Sequence, residues 1–280
     1  MKTENFLILG GTGKTGRKIV NRLRTMGQHV RVGSRSASPA FNWHKPQDWA
    51  KALEGIDKVY ITYQPDLAVP GALEAIEELV KQAKSAGIKK MVLLSGKGER
   101  EAQLCEQLVI HSGLDYTIVR ASWFNQNFSE NFLLQPILEG FVALPQADVK
   151  IPFVDTSDIA AVAVEALLHD KHNGEIYQLT GPRQLTFRSA IAEIALRTKR
   201  EVSFTSISIQ AYSDAMRSYG IAEDFVWLIE YLFTEVLGNP DNEEITHDIE
   251  KVLGRKPIDF IDYVNTTAKS GIWNKVSKAS

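Results

Sequence analysis

Cysteine is almost absent from this chain: 280 residues contain one, Cys105. An internal disulfide is therefore excluded, and a reducing compartment fits. Neither sign of charge is in excess. Lysine and arginine number 32 against 34 aspartates and glutamates, a net charge of −2, which gives no overall reason to expect nucleic-acid binding, where a basic surface supplies much of the affinity. No apolar run reaches the length needed to cross a bilayer, and Met1-Lys2-Thr3-Glu4-Asn5 leads into a run too short for a signal peptide. A cytoplasmic chain with no membrane and no nucleic-acid partner is expected. The pair in His169-Asp170-Lys171-His172 has no further ligand cluster beside it, so no metal is expected either. Two local absences say more: no acidic residue lies between Glu4 and Asp48, and none of the eight tyrosines has a lysine four residues on.

What is present is the composition of an ordinary globular protein, 44% hydrophobic and 24% charged, long enough to bury a substantial core. The first half repeats one grammar, in which a helical pattern stops at a glycine and an apolar strand follows. Ile19, Val20, Leu23 and Met26 precede Gly27 and the strand His29-Val30-Arg31-Val32. Leu73, Ile76, Leu79, Val80 and Ala83 precede Gly87 and Met91-Val92-Leu93-Leu94. Leu104, Cys105, Leu108 and Val109 precede Gly113 and Tyr116-Thr117-Ile118-Val119. Glycine after a last turn is the usual helix stop, and strands alternating with helices indicate a parallel sheet. The fold class expected is α/β, a doubly wound Rossmann-type parallel sheet with a smaller, mostly helical C-terminal lobe. Residues 1–121 and 153–182 are assigned to the core, with the strand Ile176-Tyr177-Gln178-Leu179 rejoining it. Residues 122–152 and 183–280 are assigned to a substrate lobe, with strands around Phe141–Leu144 and Val202–Phe204.

The chain's focus is Gly10-Gly11-Thr12-Gly13-Lys14-Thr15-Gly16, between the apolar strand Phe6-Leu7-Ile8-Leu9 and a helical pattern. Strand, glycine turn and helix present unpaired backbone N–H groups to a phosphate. The spacing fits the dinucleotide fingerprint, and its place in a βαβ unit is the context that gives it weight. A triphosphate loop would need glycine at position 8, where Ile8 stands. An NAD site places an acid about 20 residues past the turn to hold the ribose hydroxyls. Here the second strand ends in Gly33-Ser34-Arg35 instead, with Arg31 before it. A guanidinium at Arg35, helped by Ser34, suits a 2′-phosphate, and Lys14 adds positive charge. NADP(H) is the cofactor expected, the alternative being that Arg35 is a solvated loop residue.

Taken together with further segments, the chain resembles the NmrA-like group of atypical short-chain dehydrogenases, which includes quinone-reductase-like members. The resemblance rests on the glycine turn, on Ser112–Arg120, on Ser122-Trp123-Phe124-Asn125-Gln126-Asn127-Phe128, on Val154–Ala160, on Tyr177–Pro182, and on Gly254-Arg255-Lys256-Pro257. It implies an NADP-preferring protein whose small lobe covers the nicotinamide. It also implies cofactor contacts from Thr62, Tyr63 and Gln64, an adenine-facing Asn42 where relatives often have Asp, and a nicotinamide-proximal Ser95. Ser122, Trp123, Phe124 and Asn125 become the implied substrate residues, although aromatics after a core strand also serve as packing.

The resemblance leaves the reaction open. Most short-chain dehydrogenases use a Tyr-x-x-x-Lys pair as proton donor, and it is missing here. Just after Ser95 the chain reads Lys97-Gly98-Glu99-Arg100-Glu101, in which the charged run Glu99-Arg100-Glu101 reads as a solvated helix start. One reading is an NADPH-dependent reductase that passes hydride to a quinone, enone or imine and takes its proton from water or a weak donor such as Lys97 or Tyr63. The other is a non-catalytic NADP(H)-sensing regulator that binds a partner protein. The partners expected are a small-molecule substrate and, left open, a second copy of the chain or a regulatory protein. Cys105 reads as a buried small hydrophobe, and Asp155 and Asp158 as helix-starting residues.

Overall fold

The computed structural model describes residues 4–274; the first three residues of the amino-terminal segment read above lie outside them. In chain order the elements are β1 (Asn5–Leu9), α1 (Gly16–Thr25), β2 (His29–Gly33), α2 (Trp49–Leu53), β3 (Lys58–Ile61), α3 (Ala72–Ser85), β4 (Lys90–Gly96), α4 (Arg100–Ile110) and β5 (Asp115–Ala121). They continue as α5 (Asn127–Glu130), α6 (Leu134–Glu139), β6 (Phe141–Leu144), α7 (Thr156–Leu168), β7 (Glu175–Leu179), α8 (Phe187–Thr198) and β8 (Ser203–Ser206). The last are α9 (Ile209–Ser218), α10 (Glu223–Tyr231), α11 (Asp248–Leu253) and α12 (Phe260–Lys269).

Two compact units share the chain. The first takes the described residues up to Ala121, then Thr156–Leu179 and His247–Arg255. Its parallel sheet has the order β2-β1-β3-β4-β5-β7, the doubly wound arrangement expected from the alternation of strands and helices. Gly27, Gly87 and Gly113 end their helices with φ of +75°, +76° and +80°, the left-handed conformation that only glycine adopts without strain. Leu7, Leu9, Val59, Ile61, Met91 and Leu93 meet Ile76, Leu79, Ala83, Cys105 and Val109 in one apolar core, so Cys105 is packing. Small residues on α7 let it lie close against β3, β4 and β5. The sequence division placed 183–280 in the other lobe, but α11 packs with the first unit. Its Asp248 carboxylate accepts the Gln178 N–H of β7 at 2.7 Å, and Arg255 beyond it reaches Asp158 of α7 at 2.6 Å.

The second unit comprises Ser122–Asp155, Thr180–Thr246 and the described residues from Lys256 onward. Strands β6 and β8 pair in parallel, and the other regular elements described in this unit are helices. Its core is rich in rings: Phe128 meets Phe153 at 5.3 Å and Phe260 at 5.1 Å. The Trp273 indole donates to the Phe128 carbonyl at 2.9 Å. Arg183 ties two elements together, taking Asp259 before α12 and Glu193 on α8 in paired hydrogen bonds of 2.7–2.9 Å.

Inside the first unit, α4 is fastened to the sheet by a buried charge. Glu106 has no exposed surface. Its carboxylate accepts the Ser95 hydroxyl at 2.6 Å and the Arg120 Nε at 2.9 Å. Removing one partner of a buried pair strands the other's charge. Glu106→Leu is therefore expected to lower stability by about 3–5 kcal/mol, read from the midpoint of urea unfolding, and to loosen the ends of β4 and β5 in hydrogen exchange.

Candidate functional site

In the first unit's sheet the chain leaves β1 toward β2 on one side and continues from β3 on the other. The crevice at such a switch point, beyond the carboxyl ends of the strands, is where open parallel sheets bind ligands. The glycine turn follows β1 at that point and Thr62 follows β3. The two are in such close approach that a Cβ on Gly10 would lie 2.4 Å from Thr62 Cγ2. Gly10 also has φ +65°. The first turn of α1 crosses just above, and a Cβ on Gly16 would fall 2.2 Å from the Gly10 carbonyl oxygen. At Gly16 backbone packs on backbone and at Gly10 the Thr62 methyl packs on backbone, and neither glycine has room for a Cβ.

The turn is closed by its own hydrogen bonds. Gly10 N–H donates to the Gly33 carbonyl of β2 at 2.9 Å, and Gly13 N–H to the Gly10 carbonyl at 2.8 Å. The N–H groups of Thr12, Thr15 and Gly16 have no partner among the described residues. They lie at the positive end of α1, the arrangement that suits a phosphate. The Thr15 hydroxyl receives the Tyr60 phenol of β3 at 2.9 Å, which fixes the turn from below. Gln64 reaches over it, its Nε2 lying 3.5 Å from where a Gly13 Cβ would be. Lys14 stands half-buried in the same turn.

Because the turn bonds Gly33, Ser34 and Arg35 lie directly beside it. Ser34's carbonyl accepts the Phe41 N–H at 2.9 Å, and its hydroxyl meets that of Ser36 at 3.3 Å. Arg35 is exposed and has no partner among the described residues. Arg31 is used differently: its guanidinium donates to the Ala52 and Glu54 carbonyls at 2.8 Å each, closing the carboxyl end of α2. Asn42 spends its side chain on the His44 N–H. The Tyr63 ring is buried against Trp43 at 4.8 Å, and burial pushes its phenol up.

Ser95 lies at the carboxyl end of β4 as expected, but its hydroxyl proton is committed to Glu106. Lys97 is buried, and its N–H donates to the Ala121 carbonyl. In the second unit Ser122 is buried, Phe124 bridges to Val154, and Trp123 stands half-buried among Phe132, Phe187 and Phe233. Asn125 has no exposed surface, and neither atom of its side-chain amide has a partner among the described residues.

The charged run Glu99-Arg100-Glu101 does lead into α4, with Arg100 exposed, but Glu99 is not solvated. Glu99 is buried and hydrogen-bonded to Asp66 of the loop after β3. A Cβ at Gly96 would sit on its carboxylate, so the bare backbone there is what admits it. Burial, then the Asp66 charge, drives the Glu99 carboxyl well above the usual range, and the two acids hold a proton between them. Asp66 also accepts the Ala68 N–H at 2.9 Å, so the pair anchors the loop that carries Thr62 and Gln64. Nothing in the spacing of Asp66 and Glu99 announces this contact.

Residues 10–170 match the NAD(P)H-binding family model. The chain belongs to that family, nucleotide-binding proteins built on this sheet and turn. The chain is 27% identical over 280 residues to the prestalk A differentiation protein A of Dictyostelium discoideum, covering 94% of this chain and 92% of that one. It is 28% identical over 286 residues to the NAD(P)H azoreductase of Xenophilus azovorans, covering 94% and 98%. The NADPH-dependent quinone oxidoreductase of Escherichia coli, solved with NADPH, superposes with a TM-score of 0.77 at 20% identity, covering 93% of this chain and 99% of that one. At that identity the likeness speaks for the fold.

Two outcomes follow from the geometry. Gly16→Ala forces a methyl into the Gly10 carbonyl and is expected to cost about 1–3 kcal/mol and to abolish NADPH binding in fluorescence titration, while the circular dichroism stays that of the parent. Glu99 sets a pH dependence. Above the ordinary carboxyl range and below its raised value, the folded chain keeps a proton that the unfolded chain has released. Stability therefore falls as pH rises through that window. Urea unfolding between pH 5 and pH 8 is expected to show that decline, and Glu99→Gln, which cannot ionise, to flatten it.

Proposed function

We propose that the chain is a cytoplasmic NADPH-dependent reductase that passes hydride to a small organic acceptor, a quinone, an enone or an imine. The observation that carries this reading is the end of β2. Arg35 stands exposed beside the phosphate turn, and the segment has no acid to hold an unphosphorylated ribose or to repel a phosphorylated one. The N–H groups of Thr12, Thr15 and Gly16 would take the pyrophosphate, Ser34 and Arg35 the 2′-phosphate, and Thr62 and Gln64 the sugar side. Lys14 adds charge at the helix end, and Gly10, Gly11 and Gly13 let the backbone approach. Bound NADPH supplies the hydride.

The acceptor class follows from what the site does not offer. No Tyr-x-x-x-Lys pair exists, and the Ser95 proton is held by Glu106. Acceptors that need no strong protein acid fit such a site, since positioning supplies most of the rate. The names of the azoreductase and the quinone oxidoreductase describe such acceptors for those proteins. Ser122, Trp123, Phe124 and Asn125 are the proposed substrate residues. The missing dyad equally suits a regulator that reports the cofactor's redox state to a partner protein.

Arg35→Ala is expected to weaken NADPH by about tenfold or more and to leave NADH unchanged, measured by titration of intrinsic fluorescence. An equal effect on both would remove Arg35 from the site. Stopped-flow oxidation of bound NADPH against a panel of quinones, enones and imines separates the two functions: tight NADPH binding with no transfer to any acceptor selects the regulator.

A further inference from the structure

The middle of the first unit's sheet holds a hydroxyl where apolar packing alone would not call for one. Every residue of β3 is buried. Tyr60 pairs with Ile8 of β1 on one side and Val92 of β4 on the other, and it has no exposed surface. Burial drives its phenol above the ordinary range, so the proton stays on. A phenylalanine would fill the same space without desolvating a hydroxyl, a group that costs stability unless it is bonded. The Tyr60 hydroxyl is bonded, to Thr15 at 2.9 Å, and Thr15 is itself buried.

Thr15 lies in the opening turn of α1, between Gly13 and Gly16, which have no side chains to hold that turn with. The Arg17 N–H donates to the Gly13 carbonyl at 3.1 Å, so the helical ladder starts at Gly13. No side chain caps this end, and the first turn contains no acid. Helices otherwise satisfy or neutralise their leading N–H groups in those ways. Threonines elsewhere bond back to a carbonyl four residues earlier: Thr25, Thr198 and Thr234 donate to Asn21, Ile194 and Glu230 at 2.7–2.9 Å. Thr15 is tied across to the sheet instead. Two residues after Tyr60 comes Thr62, whose methyl lies against Gly10. This stretch of chain therefore bears on the glycine turn at both ends, Thr62 at Gly10 and Tyr60 at Thr15.

We propose that Tyr60 is a positioning residue for the cofactor's pyrophosphate: through Thr15, its hydroxyl holds the opening turn of α1 at the angle that points the Thr15 and Gly16 N–H groups at the phosphates. This rests on the cofactor placement proposed above. Tyr60 touches no ligand itself, having no exposed surface. A hydrogen bond weakens steeply as its angle closes, so a small tilt of this turn is felt by two bonds to the anion at once. A turn already held in its bound shape also loses less of the binding energy to ordering.

The test uses the full chain and three ligands, NADPH, 2′,5′-ADP and 2′-AMP, followed by calorimetry. The last two differ only in the 5′-phosphate, the adenosine-side phosphate of the pyrophosphate. Tyr60→Phe keeps the ring and removes only the hydroxyl. It is expected to weaken NADPH and 2′,5′-ADP about three- to tenfold and to leave 2′-AMP unchanged, whereas a general loosening of the sheet would weaken all three alike. Thr15→Val removes the other half of the same bond and is expected to weaken the same two ligands, with no further loss in the double variant. Parent-like NADPH affinity in Tyr60→Phe, equal weakening of all three ligands, or additive losses in the double variant would overturn the proposal. Gly16→Ala separates it from the placement it rests on. If that variant binds NADPH as the parent does, the turn is not the phosphate site and both fall. If it blocks NADPH while Tyr60→Phe leaves the affinity intact, only the role of Tyr60 falls.

Discussion

The first unit depends on a place where backbone must touch backbone. At the switch between β1 and β3, the Gly10 carbonyl sits under the start of α1 and the Thr62 methyl lies against Gly10, at separations that admit no Cβ on Gly16 or Gly10. That contact sets how closely α1 approaches the sheet, and with it the direction of the helix's unpaired N–H groups. It also brings the end of β2 into range, because the turn's N–H groups bond the Gly33 carbonyl. The glycine turn and the Arg35 corner are therefore one construction, each placed by the other.

Much of this was legible because it is local. Helix periodicity, the stops at Gly27, Gly87 and Gly113 and the apolar strands each declare themselves within a dozen residues, and the parallel sheet follows from their alternation. The turn was legible for the same reason: strand, glycines and helix are contiguous. Contacts made across the fold were not. Glu99 reads as surface charge until Gly96 is seen to make room for its carboxyl and Asp66 to meet it from another loop. Arg31 and Arg35 look alike in sequence, yet strand alternation and the nearness of α2 make the first a helix-end clasp. The placing of α11 with the first unit turned on Asp248 and Arg255, whose partners lie 70 and 97 residues away.

Acidic groups organise the carboxyl end of the sheet as much as the glycines do. Glu106 draws Ser95 and Arg120 together, and Glu99 with Asp66 ties the β3 loop to the start of α4. Negative charge is thus held in the core, where hydrogen bonds or a shared proton compensate it, and kept out of the segment around the glycine turn. The acid-free run from Asn5 to Gln47 and these buried carboxyls are two aspects of one electrostatic arrangement.

Phe233, packed among Trp123, Phe187 and Tyr212, belongs to a π-helical turn, Leu232–Val236, in which the Leu237 N–H donates to the Leu232 carbonyl at 3.0 Å. Each residue of an α-helix advances the side chains by about 100°. Deleting one residue from that turn would restore ordinary helical winding and swing Phe233 away from Trp123 and Tyr212 without altering any of the three. The packing of this aromatic cluster can therefore be rewritten by a change in length, which no single substitution reproduces.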